Sequence, residues 1–165
     1  MKKIAFITLS LLLAVSFWNC EKDDICVDGT PVTPRLIIEF YDAANPTVLK
    51  NVTNLRVEEL NTDNGVVFNE DIDETLPARY LSNGNKIAIP LKTFSETSAF
   101  EFIFNYGDAA ANTDAITFNY TKDDVYISRA CGYKTIFNLI DITPTPFPVS
   151  GYWIQDIDII QPNIE

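Results

Sequence analysis

The amino-acid sequence predicts an all-β domain, an antiparallel β-sandwich that is immunoglobulin-like or related and contains roughly eight to nine short strands. Three observations lead to this fold class. Apolar side chains recur at a period of two, turn sequences recur at short intervals, and no segment shows a sustained helical apolar period. Strands of this kind have one face in a core and one in water, which two packed antiparallel sheets provide.

The first strands are predicted from their alternation and from the turns between them. Residues 36–41 follow the period of two, and 42–46 supply a turn. The next strand is predicted at 55–58. The Asp-Asn-Gly sequence at 63–65 then predicts a hairpin turn into the apolar run 66–68.

The middle of the chain contains the clearest strands. Asn83-Gly84 is a second turn of the same type and leads into a strand at 86–89. Pro90 marks an edge strand or a strand end, because proline has no N–H to donate to a sheet. Residues 100–106 and 116–120 carry aromatic and aliphatic side chains on one face each, and we expect these two strands to pair.

The C-terminal part predicts three more strands. Two of them, 125–130 and 135–140, flank Cys131 and Gly132. The prolines between 144 and 148 predict a loop, and the apolar residues of 152–159 predict the last strand.

The N-terminal residues 1–19 have the composition of a secretory signal peptide. Lys2 and Lys3 precede an uncharged stretch at 4–19, whose apolar part is shorter than the ~20 residues that a membrane-spanning helix needs. An uncleaved anchor or a buried helix fits poorly, because the charged run 21–24 follows at once. We therefore expect these residues to be removed.

Cys20 is the predicted site of lipidation. Lipoprotein signal peptidase cleaves before a cysteine whose thiol carries a diacylglycerol, and several acyl chains on one residue give a stable anchor. Residues 16–20 resemble the lipobox that this peptidase recognises. The predicted organisation is then a signal peptide at 1–19, a lipidated tether at 20–34 and the β-sandwich domain at 35–165.

The residues that follow Cys20 resemble a known export signal. A lysine and two acidic residues, Lys22, Asp23 and Asp24, stand where surface-exposed Bacteroidota lipoproteins carry such residues. The segments 33–38 and 128–134 are similar to an uncharacterised outer-membrane lipoprotein family of that phylum, a domain of unknown function. The resemblance implies a lipid-anchored protein of the outer membrane that faces the cell exterior, and it implies no activity.

Two cysteines remain once Cys20 carries lipid. Cys26 and Cys131 form an even pair in a chain that is exported to an oxidising compartment, which predicts a disulfide between them. The alternative is two buried free thiols.

Charge and composition exclude several classes of function. The formal net charge of -11 predicts repulsion from nucleic acid, so we expect no nucleic-acid partner. The chain contains no histidine, which removes the usual general base of Ser-His and Cys-His enzymes and the commonest metal ligand. No glycine-rich phosphate loop and no nucleophile elbow is present. We therefore expect that the protein is not an enzyme and that it has no cofactor and no metal site.

Carboxylates are the remaining side chains that could catalyse a reaction or bind a metal ion. A pair of them could hydrolyse glycosidic bonds, and the same residues could hold calcium, although no twelve-residue calcium loop is present. The candidates are Asp71, Asp73, Glu74, Asp123, Asp124, Asp156 and Asp158.

Tyr152 and Trp153 are the candidate ligand contacts. Two adjacent aromatic rings at a sandwich edge could stack on a sugar, but aromatic side chains bury large apolar areas in β folds, so we expect Trp153 to fill the core. The expected function is a non-catalytic interaction or structural module with a protein partner in the envelope, as an accessory subunit of a larger complex. A glycan-binding module for surface polysaccharide is the alternative, and a small carboxylate hydrolase is the third.

Overall fold

The structure, a computed structural model, describes residues 25–26, 29–30, 32–145 and 151–165. In these ranges it contains ten β-strands and one 3₁₀ helix, Pro77–Tyr80, but no α-helix. The strands are β1 (Leu36–Glu39), β2 (Tyr41–Asp42), β3 (Asn45–Leu49), β4 (Leu55–Glu59), β5 (Leu81–Ser82), β6 (Lys86–Ile89), β7 (Thr97–Phe104), β8 (Asn112–Ser128), β9 (Gly132–Thr145) and β10 (Asn163–Ile164). The predicted all-β, antiparallel class is confirmed.

Part of the predicted organisation lies outside the described residues. The signal peptide at 1–19, the lipidation site Cys20 and the export signal at 22–24 all belong to that part. In the described ranges, no helix is long and apolar enough to cross a membrane. The described chain divides into two compact units, which are Val32–Val125 with Thr135–Glu165, and Tyr126–Lys134 with the residues that precede Val32.

The larger unit contains one large sheet and two small ones. The large sheet has six strands in the order β10-β9-β8-β7-β4-β5, whereas β1 pairs with β6 and β2 pairs with β3. Side chains of the large sheet and of the β1–β6 ribbon belong to one core cluster, which gives a sandwich-like arrangement.

Strands β7 and β8 form the centre of this core, as the alternation predicted. Phe100 of β7 lies opposite Ile116 of β8, and Phe102 lies opposite Asp114. The side chains of Phe100, Phe102, Ile116 and Phe118 are buried, whereas Glu101, Thr117 and Asn119 between them are only partly buried; Ala115, which is also buried, is the exception. Period-two patterning therefore selects the buried face of both strands.

Two predicted turns are present, and the first of them forms only a very short hairpin. Gly65 makes an antiparallel bridge with Glu58, and the N–H of Val66 donates to the carbonyl of Val57, whereas the N–H of Phe68 donates to the carbonyl of Arg79. Asn83-Gly84 joins β5, which belongs to the large sheet, to β6, which pairs with β1. This turn therefore connects two sheets.

The C-terminal half corrects two further expectations. The strands predicted at 116–120 and 125–130 are one 17-residue strand, β8, and β9 is almost as long, so not all strands are short. The strand predicted at 152–159 is wrong, because this segment joins no sheet. Its Ile154 N–H binds the Asp114 carboxylate instead of a neighbouring strand, and the last strand is β10.

Candidate functional site

The smaller unit contains the disulfide between Cys26 and Cys131 that the cysteine count predicted. The two Cα atoms lie 4.9 Å apart, and the Cys131 N–H donates to the Ser128 hydroxyl at 3.0 Å. Gly132 follows with a φ of 71°, a left-handed conformation that glycine adopts at little cost and that allows the chain to turn from β8 into β9. Beside this turn, the rings of Tyr126 and Tyr133 meet edge to face.

An exposed apolar surface lies on the outer side of β1, β2 and β3. We call it the Ile37 face and define it by Ile37, Glu39, Tyr41 and Leu49. Tyr41 lies opposite Leu49 in the β2–β3 pair, so the two side chains share one face. The tyrosine hydroxyl donates to Glu39 at 2.8 Å, which places Glu39 beside them.

A surface ion pair crosses the Ile37 face. Lys86 lies opposite Glu39 in the β1–β6 pair, and its ammonium contacts the Glu39 carboxylate at 2.9 Å. Hydrogen bonds from Lys86 and then from Tyr41 lower the pKa of Glu39, so this carboxylate stays charged at neutral pH. An apolar surface with a fixed charge pair across it can bind a protein partner and set its orientation.

A cleft of about 460 Å³ lies between strand β8 and the segment that contains Tyr152. Its lining includes Asp114, Ile116, Tyr152 and Asp156. The side chain of Tyr152 is exposed, and the carboxylates of Asp114 and Asp156 and the amide of Gln155 line the same cleft. An aromatic ring beside hydrogen-bonding groups is the arrangement that sugar binding requires.

Asp114 is the buried carboxylate of the Tyr152 cleft. Its Oδ2 accepts the N–H of Ile154 at 2.8 Å, and the N–H of Trp153 also binds this carboxylate. Burial raises the pKa of Asp114, while these two backbone hydrogen bonds oppose the shift. Both bonds hold the segment 151–157 in place, so the first role of Asp114 is structural.

Trp153 packs against the core. Its ring stacks on Phe104 with a centroid separation of 5.2 Å and lies 6.1 Å from the ring of Phe40. The indole N–H donates to the carbonyl of Phe102 at 3.0 Å. Of the two candidate ligand contacts, Tyr152 is therefore the one whose ring is directed to solvent.

The acidic candidates for hydrolysis or calcium binding are distributed over three segments. Asp71, Asp73 and Glu74 lie in an exposed loop, Asp123 and Asp124 lie on β8, and Asp156 and Asp158 follow Tyr152. Asp73 accepts two hydrogen bonds from Thr75, which lower its pKa, and Asp124 accepts the hydroxyl of Thr135 at 2.7 Å. In the described ranges, no group of three or more such ligands could hold a metal ion.

A larger open cleft of about 740 Å³ lies near β6 and is lined mainly by polar residues. Arg35 and Lys86 contribute the positive charges, and Glu70 and Asp71 contribute the negative ones. Phe68 is the aromatic residue of this lining. Because the charges are mixed and the walls are polar, this cleft shows no preference for one class of ligand.

A charged cluster on the outer side of the large sheet was not singled out from the sequence. The guanidinium of Arg56 pairs with Glu58 and lies between the rings of Tyr80 and Tyr106, at 5.3 and 4.8 Å from their centroids. Glu101 lies opposite Glu58, and burial followed by the charge of Glu58 raises its pKa. Only the strand register brings Arg56, Glu58 and Glu101 together, so the alternation within each strand did not reveal this cluster.

Comparison with known proteins gives one match. A family model with the description "Family of unknown function (DUF6452)" matches residues 54–165. This range contains all six strands of the large sheet and the Tyr152 cleft, and it begins after β1, β2 and β3. No curated protein and no solved structure matches the chain.

Proposed function

The chain belongs to the DUF6452 family of unknown function, and on that premise we propose that it is a non-catalytic interaction module on the surface of a Bacteroidota cell. In this proposal, lipid on Cys20 anchors the protein in the outer membrane and the domain faces the exterior. Its role is that of an accessory subunit, which binds a protein partner in the envelope. The Ile37 face is the observation that carries the proposal.

The composition of the Ile37 face supports a protein partner. Ile37, Tyr41 and Leu49 each expose close to half of their surface, although the chain as a whole is strongly acidic. Contiguous exposed apolar side chains with polar groups beside them are typical of protein interaction sites. The Glu39–Lys86 pair can fix the orientation of a bound partner, because the partner must place complementary charges opposite both side chains.

The tether supports the location. Cys20 follows a basic start and a short apolar stretch, which is the pattern of a lipoprotein signal, and Lys22 with Asp23 and Asp24 resembles an export signal. The sequence contains no histidine, so it lacks the residue that most often serves as a general base, which supports a non-catalytic role.

The test of the protein-partner proposal uses two positions on one strand. Leu49 is 47% exposed on the Ile37 face, and Val48 is 49% exposed on the opposite side of β3. Tagged full-length protein is cross-linked in intact cells and purified from solubilised membranes. Leu49→Ser should lose a cross-linked protein that both wild type and Val48→Ser retain. Equal recovery from both variants, or no cross-linked protein in wild type, contradicts the proposal.

Glycan binding is the second candidate function, and the Tyr152 cleft favours it. The exposed ring of Tyr152 could stack on a sugar. The Asp156 carboxylate could accept hydrogen bonds from the sugar hydroxyls, and the Gln155 amide could donate to them or accept from them. A ligand there would touch Tyr152 and leave Trp153 in the core.

The glycan test uses a column that carries surface polysaccharide purified from the producing cells. Wild type and Tyr152→Phe should be retained, because both keep the ring, whereas Tyr152→Ala should pass through. Retention of Tyr152→Ala equal to that of wild type would exclude this cleft as the binding site.

A further inference from the structure

We infer that the turn between β8 and β9, residues Tyr126–Lys134, is a second membrane contact that lies in the headgroup region of the leaflet holding the lipid anchor. The inference rests on the proposed lipidation of Cys20. It assigns a ligand, the lipid–water interface, to a surface that the Ile37 face and the Tyr152 cleft do not use. We call this surface the tyrosine tip.

Covalent geometry keeps the tyrosine tip close to the anchor. Cys26 is the sixth residue after Cys20, and an extended chain covers at most ~3.6 Å per residue, or ~22 Å in all. The disulfide places the Cα of Cys131 a further 4.9 Å away. The tip therefore stays close to the lipid anchor. Because the tether keeps the tip at a high effective concentration near the membrane surface, even a weak affinity for that surface is enough for binding.

The side chains of the tip have the chemistry of an interfacial surface. Tyr126 is 54% exposed and Tyr133 is 68% exposed, and their ring centroids lie 5.3 Å apart in an edge-to-face pair. Ile25, next to the bridged Cys26, is also highly exposed. Tyrosine is enriched where one end of a side chain meets apolar material and the other meets water, as at the headgroup level of a bilayer.

The charge of the tip agrees with this placement. Residues 126–134 contain Arg129 and Lys134 and no acidic residue, in a chain whose formal net charge is -11. The turn itself therefore carries a positive formal charge, unlike the chain as a whole, and this charge favours contact with anionic headgroups.

Photo-cross-linking in intact cells tests the inference with the full-length protein. The photoreactive residue p-benzoylphenylalanine replaces Tyr126, Tyr133 or, as a control in the larger unit, Phe94, which is 84% exposed and lies outside the Ile37 face and the Tyr152 cleft. Cells receive a clickable phospholipid precursor before illumination. The two tip positions should give several-fold more lipid adduct than Phe94.

Each other outcome overturns the inference. Equal lipid adducts at all three positions indicate unspecific labelling, and cross-links from the tip to a second copy or to another protein indicate a different occupant. A fatty-acid analogue fed in parallel separates the two proposals. Absence of the tip adduct in a protein that carries the fatty-acid label overturns the membrane contact alone, whereas absence of that label overturns both proposals.

Discussion

At the scale of single residues, the buried hydroxyl of Tyr120 illustrates how the core accommodates polar groups. It donates to the carbonyl of Lys92 at 3.0 Å and lies 2.7 Å from the hydroxyl of Ser98, which accepts the N–H of Lys92 at 2.9 Å. The three groups form a closed set in which every polar atom has a partner. The ring packs edge-on against Phe137, so tyrosine supplies core volume and a hydrogen bond together.

Replacing Tyr120 by phenylalanine should change stability and its pH dependence. The carbonyl of Lys92 and the hydroxyl of Ser98 would lose a partner in the core, which should lower the free energy of unfolding by about 1–3 kcal/mol at neutral pH. Burial raises the pKa of Tyr120 above its ordinary value of 10.0. The unfolded chain therefore releases this proton first, and stability falls as the pH rises through that ordinary value.

Urea unfolding at neutral pH and at a pH just above 10 checks both effects. Tyr120→Phe should be less stable than wild type at neutral pH and should lose less stability on going to the alkaline condition. The exposed Tyr133→Phe is the control and should match wild type at neutral pH. If Tyr120→Phe loses as much stability at the alkaline pH as wild type does, the raised pKa of Tyr120 is not the cause of that loss.

At the scale of elements, local patterning predicted strands well where each strand pairs with a sequence neighbour. The β7–β8 pair is the example, because both strands place aromatic side chains at a period of two and a short connection joins them. Residues 121–124 are polar and predicted a break, yet β8 continues through them. Main-chain hydrogen bonds hold a hairpin together whether or not its side chains are buried.

The segment 152–159 shows why the remainder could not be predicted. Its apolar residues have the pattern of a strand, but Asp114, forty positions earlier in the chain, binds its backbone, and the core takes up the indole of Trp153. The Ile37 face is a similar case, because the β2–β3 pairing brings Tyr41 and Leu49 together. The candidate ligand contacts and the cysteine pair were visible in the sequence, whereas surfaces that depend on register were not.

Replacing Asp114 by alanine should release the segment 151–157 from the large sheet. The N–H of Ile154 would lose its acceptor, and leaving a buried donor without a partner costs about 1–3 kcal/mol. Hydrogen exchange should become faster at Trp153 and Ile154, and the fluorescence of Trp153 should shift to the red as its ring becomes wetter.

Asp156→Ala is the matched control, since Asp156 lies in the same segment but is exposed. It should leave the exchange rates and the emission of Trp153 unchanged. If Asp114→Ala behaves like this control, the carboxylate does not hold the segment.

At the scale of the whole molecule, the disulfide links distant parts of the sequence. Cys26 and Cys131 are 105 residues apart, so the bridge closes a loop that contains most of the strands. A cross-link of this span removes conformations chiefly from the unfolded chain.

The double variant Cys26→Ser/Cys131→Ser should be less stable than the oxidised protein. The chain-entropy treatment gives an upper value of ~4.7 kcal/mol for a loop of this size, and measured losses are usually smaller. Urea unfolding of the two proteins measures the difference, and mass spectrometry without reduction should find the cross-linked peptide. Two freely alkylated thiols in unreduced protein would contradict the pairing.

The proposed surface exposure of the whole protein leads to the last prediction. Lys22, Asp23 and Asp24 are the second to fourth residues after Cys20, directly beside the proposed acyl chains. They are either a solvated linker or a sorting signal, and their resemblance to known export signals favours a signal. Such addresses are read from local sequence by a receptor, so changing these residues should alter location without altering the fold.

Replacing Lys22, Asp23 and Asp24 by alanine should leave fatty-acid labelling intact and leave the protein facing the periplasm. Antibody labelling of intact cells should detect wild type and miss the variant, and permeabilising the outer membrane should restore detection of the variant. Cys20→Ala separates the two steps, because it should abolish the fatty-acid label itself. Wild type that becomes accessible only after permeabilisation would show that the domain faces inward and that these residues do not direct export.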